Sequence, residues 1–137
     1  MSRRVARDYA FRMIFSYMFK KEVDTDGIEE IIRVENLAEN DAQYLRDVVN
    51  AVAQHYDELG QLIAANAKNF RIDRIFKPDL AALYLACAEM CYMPDIPKSV
   101  SICEAVEMVK VYSTEQSSGF VNGVLAGVFK QLEKGEA

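Results

Sequence analysis

The sequence predicts an all-α fold, a single domain over residues 1–137 with six to seven helices, and three observations carry that expectation. Apolar residues recur at three- and four-residue steps through most of the chain, the period of helices with one buried face. No segment alternates with a two-residue period between turns on both sides; "NFRIDRIF" comes nearest and reads as helix or loop. Turn chemistry separates the periodic segments, at "DTDG", "ENLAEND", "KPD" and "PDIP".

From Arg3 to about Lys21, the residues Ala6, Tyr9, Ala10, Met13 and Tyr17 mark the apolar face of a first helix. Arg3, Arg4 and Arg7 fall on a neighbouring face as a compact cationic patch. A short helix is expected beyond the turn at Gly27. A long helical pattern then runs from about Asp41 to Asn66, with Tyr44, Leu45, Val48, Val49, Val52, Tyr56, Leu59, Leu62 and Ile63 on its apolar side. Gly60 marks a bend or a break within it. Lys77-Pro78 sets the next boundary, because proline restricts the residue before it.

The helix that follows, "DLAALYLACAEMCYM", is apolar on nearly all sides, with Asp79 and Glu89 its only charges. Such a helix is central in the core or covered by a partner. Pro97 suits the first turn of a helix carrying Val100, Ile102, Ala105, Val106 and Val109. The last helix opens at "STEQ", where Ser113 and Gln116 have the form of a capping box. It holds Gly119, Gly123 and Gly127, three of the six glycines. Each costs about 1 kcal/mol relative to alanine in a helix interior. Their spacing places them on one face, where the close approach of another helix offsets that cost. Direct contact of the glycine backbone with a ligand is the alternative.

A 51% hydrophobic, 27% charged composition is an ordinary globular balance. No apolar run is long enough to span a bilayer or to serve as a cleavable signal, so a cytoplasmic protein is expected, with no membrane partner. The net charge of -5 argues against nucleic acid until its distribution is considered. Residues 1–21 hold six basic and one acidic side chain, residues 22–67 two basic and eleven acidic, and residues 68–137 eight basic and nine acidic. A basic head joins an acidic waist.

Searches for chemistry return little. His55 is the only histidine, on a helical segment where a solvated imidazole is the expected role. Phosphate-cradling glycine motifs and the nucleophile elbow are absent, so no enzyme activity and no cofactor are expected. Cys87, Cys91 and Cys103 are odd in number and lie in apolar stretches, as free thiols packed like small hydrophobes do. Cys87 and Cys91, one helical turn apart, lack the two-residue gap of a zinc knuckle, and core packing rather than a metal site with His55 is expected. The arginines are different, because guanidinium forks match phosphate oxygens. A second basic and aromatic stretch, Lys68, Phe70, Arg71, Arg74, Phe76 and Lys77, suits bases or equally a helix end with buried phenylalanines.

Two stretches carry a resemblance. "IPKSVSICEAVEMVKVYSTEQSSGFVNGVL" resembles the most recognisable stretch of the NusB transcription antitermination family: a proline, then Ile-Asn-Glu-Ala and a hydrophobic residue, then Phe-Val-Asn-Gly-Val-Leu. "RRVARDYAFRMIFSYMF" resembles that family's arginine-rich first helix. The resemblance implies an all-helical, non-enzymatic protein that binds boxA RNA of ribosomal RNA operon leaders. Its partner there is small ribosomal subunit protein ten (NusE), in a complex that helps RNA polymerase resist termination.

Carried over by position, Arg3, Arg4 and Arg7 match the arginines that approach RNA, and Lys110, Gln116, Ser117, Phe120 and Asn122 fall in or beside the RNA-facing carboxy-terminal region. Cations suit phosphate, Phe120 suits an unpaired base, and amides or hydroxyls suit base edges. For the ribosomal partner the resemblance points to the helix beginning at Asp79 and the preceding segment, with Asp79, Tyr84 and Glu89 as candidate contacts. A homodimer covering that surface is a further expectation.

The chain departs from the pattern at Gly119, where lysine or arginine is common, and at Gln116, where aspartate is frequent. Cys103 replaces an asparagine and Tyr84 a frequent arginine. These departures leave an alternative open, a helical interaction module of the same fold with weakened RNA recognition. The similar amino-terminal domain of a ribosomal RNA methyltransferase is disfavoured, because these 137 residues contain no cofactor-binding segment.

Overall fold

The computed structural model describes residues 3–68 and 71–135, and among them it contains helices and no strand. The helices are α1 (Arg3–Lys20), α2 (Thr25–Glu35), α3 (Glu39–Gln54), α4 (Tyr56–Asn66), α5 (Lys77–Tyr92), α6 (Lys98–Tyr112) and α7 (Glu115–Glu133). A single 3-10 turn, Ile72–Arg74, precedes α5, so "NFRIDRIF" is turn rather than strand; its Asn69 and Phe70 lie outside the described residues.

Helix α5 is the axis of the molecule. Every residue from Asp79 to Met90 is buried, and the helix packs against α1, α3, α4, α6 and α7. Its all-round apolar character therefore has an internal explanation: neighbouring helices of this chain cover it on every side. Ile14, Leu45, Leu59, Ile63, Leu83, Leu85 and Leu125 are among the largest side chains sealed in the shared core.

Helix α1 is turned relative to the sequence expectation. Arg7, Phe11, Ile14 and Met18 join Ala6 and Ala10 on the buried face, whereas Tyr9, Met13 and Tyr17 are only half-buried. Positions 7, 11, 14 and 18 keep a strict helical seam, and Arg7 occupies one place in it. The periodicity was present, but a charge at one of its positions conceals it.

Local chemistry sets the helix ends. Lys21 takes a left-handed φ of 56° as α1 stops, and its N–H bonds the Tyr17 carbonyl at 2.7 Å. Asp24 caps α2 by accepting from the Gly27 N–H at 2.9 Å, and Asn36, at φ 52°, closes it. The expected long helix is two helices, broken at His55 (φ -120°, ψ 28°) rather than at Gly60. Gly60 lies inside α4 for a packing reason, since a Cβ there would come within 2.8 Å of the Tyr84 hydroxyl. Pro97 precedes α6 instead of sitting in its first turn, and the cap of α7 is Thr114, whose hydroxyl accepts from the Ser117 N–H at 3.1 Å, rather than Ser113.

The three glycines of α7 do not share a role. A Cβ at Gly127 would collide with the Asn66 carboxamide, which lies across it and donates to the Leu62 carbonyl at 2.9 Å and to Gln131 Oε1 at 3.0 Å. At Gly119 and Gly123 a Cβ would meet nothing within 4 Å among the described residues. Close helix packing thus explains Gly127 alone.

Candidate nucleic-acid interface

The arginine end is built where α1 crosses α3, α5 and α6. Arg4 is the exposed member: its side chain is 76% accessible and reaches Glu104 on α6 at 3.1 Å. A surface ion pair of this kind holds its partner by only about 0–1 kcal/mol, so the guanidinium is free to exchange Glu104 for a phosphate. Arg3 is half-buried, donating through Nε to Asp41 at 2.9 Å, with its guanidinium 4.4 Å above the centre of the Tyr44 ring.

Arg7 does not belong to this surface. Its Nε and Nη2 donate to the two Glu89 oxygens at 2.8 and 3.2 Å, and Tyr44 and the Ser101 hydroxyl, at 2.7 Å, donate to the same carboxylate. Glu104 stands 3.8 Å from Arg7 Nη1. Burial works against the Arg7 charge, but the Glu89 hydrogen bond and the surrounding negative groups outweigh it and raise its pKa. For Tyr44 burial first, and then the Glu89 charge, pushes the phenol well above its ordinary value. The expected three-arginine patch is therefore a pair on the surface with a buried strut behind it.

The carboxy-terminal candidates divide the same way. Gln116 and Asn122 are exposed on α7, and Phe120 is half-buried between them along the chain. Lys110 is exposed on α6 and paired with Glu107 at 3.2 Å. Ser117 is buried, and its hydroxyl donates to Asp79 Oδ2 at 2.8 Å, fastening the start of α7 to the start of α5.

None of the expected partner contacts on α5 is at the surface. Asp79, Tyr84 and Glu89 are 5%, 3% and 1% exposed, the first held by Ser117, the second stacked on Tyr56 at 4.5 Å and the third holding Arg7. A partner cannot touch them in this conformation. An apolar surface lies elsewhere: Phe15, Pro78 and Tyr112 help line an open hollow of about 290 Å³, and Phe19, 60% exposed, meets the Phe15 ring edge-on at 5.2 Å. The sequence signal for it was a run of aromatics off the buried seam of α1, at residues 15 and 19.

The thiols and the histidine fall apart. Cys87 is buried, Cys91 is intermediate and Cys103 is exposed, so packing as a small hydrophobe fails for Cys103. His55 stacks on Tyr92 with ring centres 4.2 Å apart and bonds Glu58 at 3.0 Å. Among the described residues no helix is long and apolar enough to cross a membrane.

Comparison with known proteins gives this architecture a context. A family profile described as the NusB family matches residues 4–130. The transcription antitermination protein NusB of Finegoldia magna is 38% identical over 133 residues, covering 97% of each chain. That of Acetivibrio thermocellus is 40% identical over 130 residues, covering 95% of this chain and 90% of its own. Among solved structures, NusB of T. maritima superposes with a TM-score of 0.85 at 30% identity, covering 100% of this chain and 99% of its own. A structure described as antitermination factors NusB and NusE in complex with double-stranded RNA gives 0.81 at 26% identity, covering 93% of this chain and 96% of its own. With a profile match that spans residues 4–130, from Arg4 through the Phe-Val-Asn-Gly-Val-Leu stretch, the chain belongs to the NusB family of transcription antitermination proteins.

Proposed function

We propose that this chain is a cytoplasmic, non-enzymatic transcription antitermination factor. It binds boxA RNA of ribosomal RNA operon leaders together with small ribosomal subunit protein ten (NusE), within a complex that helps RNA polymerase resist termination. The observation that carries this reading is the shared fold with the solved assembly of NusB, NusE and RNA. In this chain, exposed Arg4 with half-buried Arg3 supplies phosphate contacts, and Gln116, Phe120 and Asn122 supply base-edge and stacking groups. The aromatic surface around Phe15 and Phe19 is the face offered to the ribosomal protein, in place of the buried α5 residues.

Fluorescence anisotropy of a labelled boxA-type RNA, at about 0.15 M salt where non-specific binding is modest, tests this with and without the ribosomal protein. Tight binding that strengthens with the partner, fails on a scrambled RNA and weakens on Arg4→Ala is the expected result. Absence of RNA binding under both conditions would overturn it. One feature favours a second reading, an interaction module with weakened RNA recognition: Gly119 leaves open space where family members commonly carry a cation. Partner binding without any RNA selectivity would single that reading out.

A further inference from the structure

A groove of about 590 Å³ runs between the end of α4 and the solvent side of α7, away from the arginine end. Lys68, Lys130 and Lys134 line it, Phe120 lies towards its amino-terminal end, and Gly123 and Gly127 contribute its floor. Among the described residues no aspartate or glutamate lines it, in a chain whose net charge is -5. The hollows at Arg3 and Arg4 both contain carboxylates. The three lysines make no ion pair among the described residues, whereas Arg3, Arg4 and Lys110 are each paired with an acid.

The floor is informative as well. Gly127 is covered by Asn66, but at Gly123 no described residue comes within 4 Å of where its Cβ would be. A bare helix backbone with no packing partner is destabilising, yet it lets a ligand approach closer than any side chain allows. Helix dipoles favour a lysine at the end of α4 or α7. They explain neither the missing side chain at 123 nor the carboxylate-free lining.

Along α7 the positions Gln116, Phe120, Gly123, Gly127, Lys130 and Lys134 follow one another at three- and four-residue steps, so they form a single stripe. From 116 to 134 the stripe is about 27 Å long, at about 1.5 Å per residue. Lysine ammonium groups on flexible stems suit phosphates of any sequence rather than base edges.

We propose that this groove holds the sugar-phosphate backbone of a single-stranded RNA segment that continues past Phe120, adding sequence-independent affinity to the arginine end. The inference rests on the RNA-binding reading above. Its test compares two labelled single-stranded RNAs, a short boxA-type sequence and the same sequence lengthened, on the intact chain and on the triple variant Lys68→Ala, Lys130→Ala, Lys134→Ala.

The lengthened RNA should lose roughly tenfold or more in affinity on the triple variant, and the slope of log affinity against log salt should become shallower by about 2, from about 0.7 per phosphate contact. The short RNA should be unaffected. Gly123→Ala should raise Tm while weakening the lengthened RNA severalfold, a combination that a merely structural glycine does not give. If the triple variant binds both RNAs as the intact chain does while Arg4→Ala weakens them, the groove assignment is overturned and the antitermination reading stands. If the intact chain binds neither RNA, with or without the ribosomal protein, both are overturned.

Discussion

The Glu89 carboxylate grips the Arg7 guanidinium through two hydrogen bonds, of 2.8 and 3.2 Å, although 82 residues separate them and their side chains are only 1% and 6% exposed. Tyr44 and Ser101 complete the carboxylate's shell, so four helices meet on one buried charge. Removing one partner strands the other in a medium that solvates it poorly. Glu89→Ala and Arg7→Ala should each cost about 3–5 kcal/mol in urea unfolding, and an apolar replacement of both should recover much of that loss. Loss of RNA binding by an Arg7 variant would therefore report unfolding, whereas Arg4→Ala should change stability by no more than about 0.5 kcal/mol.

The helical glycines should respond in opposite directions. Gly119→Ala fills open space and should stabilise the fold by about 0.5–1 kcal/mol through helix propensity. Gly60→Ala places a methyl 2.8 Å from the Tyr84 hydroxyl. That ring is stacked against Tyr56 at 4.5 Å and cannot swing aside, so a loss of about 1–3 kcal/mol is expected. Thermal unfolding of the two single variants side by side measures both.

Thiol labelling should proceed in order of burial. Cys103 is exposed on α6 and should react first. Cys91 is slowed by burial, which raises its pKa and lowers its thiolate fraction. Cys87 is sealed in α5, where burial first and then Cys91 push the thiol far up, and it should react only when the chain unfolds. Mass spectrometry of a timed alkylation series separates the three; early modification of Cys87 would contradict the central position of α5.

Stability should fall on the alkaline side. Burial, then the Glu89 charge, raises the Tyr44 phenol, and burial, then Tyr56, raises Tyr84. Above the ordinary tyrosine value of about 10 the unfolded chain releases protons that the folded chain retains, so raising pH favours unfolding. Below that value the contribution of both groups is fully present. Denaturant midpoints should be insensitive to these groups up to about pH 9 and decline above about pH 10, together with the appearance of tyrosinate absorbance, and Tyr44→Phe should flatten part of the decline.

The helical architecture was legible in the sequence because periodicity reports burial directly. Apolar faces identified α3 and α4, Lys77-Pro78 marked the start of α5, and the unbroken apolar run from Leu80 marked a covered helix. What failed depended on long-range pairing. Nothing local to Arg7 indicates that a carboxylate 82 residues away waits for it, so a core position was taken for surface. Likewise Gly60 suggested a break, but its small size serves Tyr84 from another helix, and the break fell at His55, which has no local breaker signal. At the site, the motif brought forward four candidates on α7, of which Gln116 and Asn122 are exposed and Phe120 half-buried, while Ser117 turns inward to Asp79. Periodicity alone does not separate these last two outcomes, because the inward hydroxyl is as polar as the outward amides.

The contacts of α1 also impose an order on folding during synthesis. Arg4 closes on Glu104, and Asp8 and Arg12 close on Tyr112, pairs about a hundred positions apart, so these contacts of α1 wait until α6 has been made. Helix α1 packs against both α3 and α5, so the seam of Arg7, Phe11, Ile14 and Met18 closes fully only when α5 has joined α3. The arginine end is complete as a surface only once α6 stands beside α1, which ties its capacity to hold a ligand to the docking of these two helices.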